Sequence, residues 1–484
     1  VLLARGADAG EVLLVRRADE LRFFGGFWAF PGGKVAPEDG DRTVTAAREL
    51  FEETGILLAR RPDGTFPPTT PDFNEARPAL IEERLAFVPW LGERGLHIDP
   101  GDFQPIGEIT TPEFAPQRFA TFFFVAHLPP GQAVAILPGE LTEAQWSTPA
   151  AMLKRWRRGE CLLSPPTAMT LQAVEGGSAD EAPARLSPLL AALAAGQMHP
   201  IYFAPQVQML PLRAPGLPPV THTNAYLVGS GPRYLLDPGA GDPAEQELLF
   251  DVLDGHLAEG RRLSAVVLTH HHPDHVGAAT VSAQRYGVPV LAHELTAQAL
   301  RGQVVVDRLL ADGDCLELGT RPDGRGPWHF EALHTPGHAV GHLCFFDPHY
   351  GLLFAGDMVS TATSVLIAPP GGDLAVYLQS LRRLLELPAR LLLPAHGSPS
   401  AQSRQTVQAA LDHRALRENQ LIEVLQTGER SMEELGPELY RGLPATHMRY
   451  ARLQIQAGLE KLEREGRVEI AGQRWRLIRG AAGK

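Results

Sequence analysis

The sequence is poor in cysteine, lacks long hydrophobic runs and carries no excess of positive charge. Its 484 residues include three cysteines, Cys161, Cys315 and Cys344, which are far apart and form no C-x-x-C pair. That spacing argues against a disulfide framework and against a thiolate zinc site, and it fits a reducing cytoplasm, the expected location. Apolar runs such as 264–268 have strand length, well short of the roughly 20 residues that span a bilayer, and no charged-then-apolar leader is visible, so no membrane role is expected. The chain opens at Val1 inside a strand-like run and not at Met, so the native amino terminus is expected upstream. With 44 Lys and Arg against 56 Asp and Glu the net charge is −12, which repels phosphate backbones and argues against generic nucleic-acid coating.

What is present is enough for several cores. Hydrophobic residues make up 44% and charged residues 21%, ordinary globular usage, and the length predicts about three folding units. Residues 1–175 alternate short apolar runs with Gly/Pro loops around one strong helical segment at 43–54, an α+β pattern. Residues 176–199 are rich in Ala, Gly and Ser around a short Leu/Ala helix and read as a linker with a docking helix. From 200 to 400, strand, loop and helix repeat as in an α/β sandwich, with His and Asp where strands end. Residues 401–484 give helix, helix, helix and hairpin, the order of a winged helix-turn-helix. From 403 onward 14 Lys and Arg face 11 Asp and Glu, making this the one basic part. Arg449 and Arg452 lie on its candidate recognition helix, whereas Leu453, Ile455, Leu459 and Leu462 at helical spacing are expected in the core. A packing or substrate-lid role is the favoured reading of the tail, and nucleic-acid contact the alternative.

Two constellations carry chemistry. In Arg48-Glu49-Leu50-Phe51-Glu52-Glu53-Thr54-Gly55-Ile56, three carboxylates at i, i+3 and i+4 project from one side of one helical turn. Their repulsion is best relieved by a hard divalent cation such as Mg²⁺ or Mn²⁺, which can also bridge substrate phosphates. Upstream, Phe30-Pro31-Gly32-Gly33 is a turn that lets backbone approach a ligand. The combined pattern strongly resembles the Nudix box. The resemblance implies a Nudix α/β/α sandwich over about 1–175, with Glu49, Glu52 and Glu53 as metal ligands and Arg48 holding them in place. It departs from the box at one point: the acid after Gly33 is Asp39 in place of Glu, and the stretch to Arg48 is one residue longer, which leaves Glu38, Asp39 and Asp41 all open for the first acid. The flank Leu13-Leu14-Val15-Arg16-Arg17-Ala18, with Arg22, Gly26 and Gly32-Gly33, looks like the motif preceding the box in coenzyme A diphosphatases. That likeness would place Arg17 and Arg22 on phosphates. Glu108 and Glu113 are the candidate general bases.

The second constellation begins where the strand-like 266–268 runs into Thr269-His270-His271-His272-Pro273-Asp274-His275. Four of the 18 histidines fall within six positions, a density that buried core histidines do not reach but imidazoles around a metal do. Thr335-Pro336-Gly337-His338, Ala355-Gly356-Asp357 and Pro394-Ala395-His396-Gly397 follow, each setting one ligand-type residue beside Gly after an apolar run. Together they resemble the metallo-β-lactamase superfamily, whose fold is an αβ/βα sandwich. By that resemblance His270, His272 and His338 hold one metal, Asp274, His275 and His396 the other, and Asp357 bridges. Two Zn²⁺, or Fe or Mn, would share a water that ionises near neutral pH. Leu236-Asp237-Pro238-Gly239 resembles the superfamily's early turn, in which Asp237 supports the ligands from behind. His271 is given no ligand role. His293, His329, His334 and His342 are read as surface or supporting histidines, and Cys344 as a small core residue. The 269–277 run, the 223–228 strand and the winged-helix tail look like the lactamase-beta-like protein 2 group, related to glyoxalase II.

The expectation is thus an α/β and α+β multidomain hydrolase: Nudix domain 1–175, linker 176–199, metallo-β-lactamase-fold domain 200–400 and winged helix 401–484. A Nudix diphosphatase acting on a nucleoside-diphosphate-linked substrate, coenzyme A or acyl-CoA among the candidates, would be joined to a binuclear zinc thioesterase. One alternative is a single-strand endoribonuclease with an accessory Nudix domain. Another is that one half serves as a non-catalytic scaffold or ligand sensor.

Overall fold

Side chains alternate across a strand, and the first two strands use that alternation to serve two cores at once. In the computed structural model, which describes residues 1–6, 8–21, 23–114, 118–216, 218 and 220–478, Leu2, Ala4, Val12 and Leu14 enter one buried cluster, while Leu3 and Leu13 enter another on the opposite face. The chain divides into two units, 1–208 and 209–484.

In the first unit the sheet runs in the order Gln104–Thr110, Ala120–His127, Leu2–Arg5, Glu11–Arg17, Phe27–Ala29 and Leu162–Leu163, with Leu141–Ser147 also pairing with Glu11–Arg17. One face is covered by the helix Arg42–Thr54, whose Ala47, Leu50, Phe51 and Thr54 are buried at i, i+3, i+4 and i+7. That leaves Arg48, Glu49, Glu52 and Glu53 on the far side of the same turns. The other face is covered by helices Pro149–Arg157, Pro165–Ala173 and Ala182–Ala194, which supply Met152, Leu171 and Leu186 to the cluster that holds Leu2, Ala4, Val12 and Leu14. The result is an α/β/α sandwich. Asp41 caps the carboxylate helix at its start, accepting from Thr43 N at 2.8 Å, and Gly55 ends it with φ 76°.

The exposed carbonyls at that helix end meet a fully buried cation. Arg77, on the helix Pro71–Ile81, donates through Nη2 to the Glu52 carbonyl at 2.9 Å and through Nη1 to Asn74 Oδ1 at 3.3 Å. Burial lowers the Arg77 pKa to about 10. A cation is favoured at a helix carboxyl terminus, and here it fixes the last turn of the helix that carries the acids.

In the second unit one sheet runs in the order Arg308–Leu310, Val290–His293, Leu263–Val267, Arg233–Leu236 and His222–Val228, and the other in the order Cys315–Thr320, Pro327–His334, Leu343–Asp347, Leu352–Gly356 and Leu391–Pro394. Leu263–Val267 lies between parallel neighbours, and its Ala265, Val266 and Val267 are buried, so the strand carries the chain through the core into the histidine run, where Thr269 and His270 are buried too. Pro327–His334, Leu352–Gly356 and Leu391–Pro394 end four, one and two residues before His338, Asp357 and His396. Gly337, at φ 130°, is the one residue type that fits there, because a Cβ would stand 2.3 Å from the Tyr377 backbone.

The carboxy-terminal segment forms helices Ser403–Gln426, Met432–Leu439 and Met448–Arg464 and the hairpin Val468–Ala471 with Arg474–Leu477. Ser431 and Glu434 close a capping box on the second helix. Leu421, Leu425, Leu435, Ile455, Leu459, Leu462 and Val468 form the core of this segment. Leu453 corrects the periodicity: it is half-buried and outside that core, since the apolar stripe of the third helix follows 455, 459 and 462. Among the described residues no helix is long and apolar enough to cross a membrane.

Arg77→Ala should lower stability by about 2–4 kcal/mol, from a cavity plus an unsatisfied carbonyl. Denaturant unfolding of the full chain checks this, and an unchanged midpoint would show that Arg77 does not hold the helix end.

Candidate active sites

The carboxylate helix opens onto a cavity of about 390 Å³ lined by Glu38, Arg48, Glu49, Glu52, Glu53 and Glu140, among others. Arg48 organises this wall. Its Nε and Nη2 donate to Asp39 at 2.9 and 3.0 Å, and its Nη1 lies 3.0 Å from Glu49 and 3.1 Å from Glu52. Glu53 instead accepts from the Gly32 amide at 2.8 Å. Gly33 packs so tightly on Glu49 that a Cβ would stand 2.2 Å from the carboxylate, so a side chain there would displace Glu49 from its present contact. The three open candidates for the first acid part company here. The Asp39 side chain is 1% exposed and bonded to Arg48, Asp41 caps the helix, and Glu38 faces the cavity.

Burial raises all three box carboxyls. Glu53 reaches about 8, with Glu49 and Glu140 adding repulsion, and Glu49 and Glu52 rise less because Arg48 opposes the effect of burial. Such acids are poised to take a hard cation, whose charge offsets their burial. Arg17 donates through Nε to the Phe23 carbonyl at 3.2 Å and pairs through Nη2 with Glu140 at 2.7 Å. Arg22 lies outside the described residues. Glu108 pairs with Arg42 at 3.4 Å on its strand, and neither it nor Glu113 lines the cavity. Glu140, in the turn Pro138-Gly139-Glu140, and Glu83 are lining carboxylates that sequence reasoning missed; an acid beside glycine ahead of a strand was the available signal for Glu140.

In the second unit the predicted ligands converge from four strand ends. Ligand atoms of His270, His272, His338 and Asp357 lie within 4.8 Å of one another, as do those of Asp274, His275 and His396. These are the groups that meet so closely among the described residues, and the box glutamates, each turned to Arg48 or Gly32, do not form a third. His270 Nε2 is 2.9 Å and His338 Nε2 3.0 Å from His272 Nδ1. Asp357 reaches both groups: Oδ2 lies 3.4 Å from His338, and Oδ1 lies 3.2 Å from His396 and 3.6 Å from His275. Asp274 Oδ2 is 3.4 Å from His396.

Supporting contacts set each ring. Asp237, whose left-handed backbone (φ 47°) Asp tolerates better than most residues, accepts from Thr269 N at 2.8 Å and Thr269 Oγ1 at 2.7 Å and lies 2.9 Å from His275 Nδ1. His396 Nδ1 meets the His222 carbonyl at 2.9 Å, and His338 Nδ1 meets the Leu366 carbonyl at 2.8 Å. Each of these contacts leaves the other ring nitrogen aimed at the cluster. His342, one of several spare histidines in the sequence, is fully buried and receives the Asp357 amide at 3.0 Å, so it positions the central carboxylate. His293 and His334 stack on each other at 4.1 Å, outside both groups, and His271 belongs to neither. Cys344 is buried, and burial pushes its thiol up to about 12.

The electrostatics fit a metal centre. Burial drives His270 well below its ordinary value and His272 to about 3, so both stand as neutral donors. Burial would also lower His275 and His396, but Asp357 and its companions outweigh it, placing His275 well above the ordinary value and His396 at about 10. The same histidines hold Asp357 well below the usual carboxylate range although burial would raise it. Among the described residues His275 Nε2 and Asp357 Oδ1 are buried without a hydrogen-bond partner. Orphaned donors of this kind, in an imidazole and carboxylate set, are what divalent transition metals take.

Residues 218–396 match the Metallo-beta-lactamase superfamily, residues 1–162 the NUDIX domain and residues 431–475 the Beta-lactamase associated winged helix domain. The chain is 31% identical over 258 residues to Lactamase-like protein vrtG of Penicillium aethiopicum, covering 50% of this chain and 75% of that one. It is 30% identical over 231 residues to the Atrochrysone carboxyl ACP thioesterase of Aspergillus fumigatus, covering 46% and 65%. A Beta-lactamase domain protein from Burkholderia ambifaria shares the fold at TM-score 0.50 and 23% identity, over 57% of this chain and 93% of that one. The chain belongs to the metallo-β-lactamase superfamily. It joins a Nudix hydrolase domain to a metallo-β-lactamase-fold hydrolase domain with a binuclear-type His/Asp metal site, followed by a winged helix.

Glu53 gives a pH signature. Folded, it keeps its proton to about pH 8; unfolded, it loses it near its ordinary 4.5. Stability therefore falls as pH rises from 4.5 towards 8, and a cation that binds the ionised carboxylate restores it. The rise in melting temperature on adding Mg²⁺ should be larger at about pH 8 than at about pH 5.5, and Glu53→Gln should flatten the difference. Thermal melts of the full chain at both pH values, with and without Mg²⁺, check this.

Proposed function

We propose that the protein is a two-centre hydrolase, organised as a Nudix domain at 1–175, a linker with docking helix at 176–199, a metallo-β-lactamase-fold domain at 200–400 and a winged helix at 401–484. The carrying observation is the shared carboxylate Asp357, which has one oxygen towards each of two buried ligand groups. In this reading His270, His272 and His338 hold one Zn²⁺, Asp274, His275 and His396 the other, and Asp357 bridges. Cations held there would polarise a substrate carbonyl and acidify water. Asp237 and His342 keep the ligands and the bridging carboxylate in register. A thioester is the favoured substrate, because a relative 30% identical is named as a thioesterase.

In the first unit Glu49, Glu52 and Glu53 would hold Mg²⁺ or Mn²⁺ against a diphosphate, with Arg48 fixing the acids and Gly32 and Gly33 shaping the turn. Arg17, now paired with Glu140, would turn to phosphate when substrate displaces that contact. If the diphosphate belongs to coenzyme A or an acyl-CoA, the two centres would address two ends of one metabolite.

Glu53→Gln should abolish diphosphate hydrolysis and spare thioester hydrolysis, and His272→Ala should do the reverse, each by at least about a hundredfold. The check uses the full chain with Mg²⁺ and Zn²⁺ on acyl-CoA thioesters, free coenzyme A and single-stranded RNA. RNA cleavage without thiol release would replace the thioesterase reading with a nuclease. A silent Glu53→Gln would make the first unit a binding module.

A further inference from the structure

The winged-helix segment reaches the metal centre without touching a ligand. His338 is oriented by the Leu366 carbonyl, and the neighbouring Val365 carbonyl is held by two side chains from the carboxy-terminal helices. Arg414, on Ser403–Gln426, donates to it through Nη2, and Gln454, on Met448–Arg464, donates through Nε2 at 2.8 Å. The two donors are themselves joined, Arg414 Nη1 to Gln454 Oε1 at 2.9 Å.

Arg414 is only 7% exposed, and its buried guanidinium is shared among the Val365 carbonyl, Gln454 and the face of Tyr377, which fixes its place against this segment. The packing runs the same way. Met358, Val359, Val365, Ile367 and Tyr377 share one hydrophobic cluster with Val407 and Ala457 of these two helices. A second thread reaches the other side of His338. Arg464 grips Asp373 with two bonds of 2.7 and 2.9 Å, and the Asp373 amide donates to the Gly337 carbonyl at 2.7 Å. The segments on both sides of one imidazole are therefore tied to the tail.

We propose that Arg414 and Gln454 are positioning residues for the metal centre: through the Val365 carbonyl they hold the Leu366 carbonyl that sets the His338 ring. This assignment rests on the metal-centre reading above. It gives the winged helix a role inside its own chain, independent of any nucleic acid, and it makes the affinity of one metal position depend on how the tail is seated.

The test is Co²⁺ binding to the intact metal-free chain, followed by its visible absorption and by chelator competition. His338→Ala first defines which equivalent depends on that ring. In Arg414→Ala/Gln454→Ala this equivalent should weaken about 10- to 100-fold while the other keeps its affinity. Arg414→Lys should recover most of the loss, and Gln454→Leu, which leaves the arginine in place, should show a smaller loss in the same equivalent. Should the double variant fold poorly, Gln454→Leu alone decides. Unchanged affinity in both equivalents overturns the proposal, and so does equal weakening of both together with a lowered metal-free melting temperature, which would mark a role in stability only. A wild-type chain that binds no Co²⁺ would overturn the metal-centre reading itself and this assignment with it.

Discussion

A buried carboxylate facing three imidazole rings is the constraint around which the second unit is built. Asp357 follows a strand that cannot leave the core earlier, receives support from His342 at its amide, and directs its two oxygens to different ligand groups. Burying so many polar groups would be prohibitive one by one, since each would shed its water without return. Here the charges compensate internally: the same proximity that lifts His275 and His396 lowers Asp357. Fold and site are therefore one electrostatic unit, and the tight turns at Gly337 and Asp237 are tolerated because they hold its members in place.

The first unit solves the opposite problem. Its acids lie on one helix face and have one guanidinium, Arg48, shared among Asp39, Glu49 and Glu52. Glu53 is left with a backbone amide, and its pKa rises accordingly. Where the histidine cluster is largely balanced by its own residues, the carboxylate wall is under-compensated. The difference follows from residue type: an imidazole is neutral or cationic according to its neighbours, whereas a carboxyl is neutral or anionic and so cannot offset another carboxylate.

Much of this was legible from local pattern. Spacing at i, i+3 and i+4 fixes a helix face whatever the tertiary context, so the face that carries Glu49, Glu52 and Glu53 could be read directly, and a ligand-type residue beside glycine after an apolar run fixes a strand end. What stayed hidden depends on chain closure. Glu140 reaches the cavity only because Leu141–Ser147 pairs with Glu11–Arg17, and His342 comes to lie behind Asp357 only because Leu343–Asp347 pairs with Leu352–Gly356. The hold of Arg414 on Val365 spans 49 positions and ends on a carbonyl, a group every residue has, so no residue type announces it. Leu453 was misplaced for a related reason, because apolar residues at helical spacing do not by themselves say which of them face the core, and here the stripe follows 455, 459 and 462.

The irregular start of the Nudix box shows how a motif can shift and keep its physics. Aspartate is one methylene shorter than the expected glutamate, and the run to Arg48 is one residue longer. Asp39 nevertheless meets Arg48 Nε and Nη2 side by side, and it also accepts from the Ala36 amide at 3.0 Å and Thr45 Oγ1 at 2.7 Å. The added residue falls between Asp39 and Arg48, and the helix that begins at Arg42 still sets Glu49, Glu52 and Glu53 on one face. Asp39 is a buried acid that takes two of the arginine's nitrogens and leaves the third for Glu49 and Glu52, so a shorter acid on a longer loop still anchors Arg48. The departure is therefore no reason in itself to treat the first unit as inert.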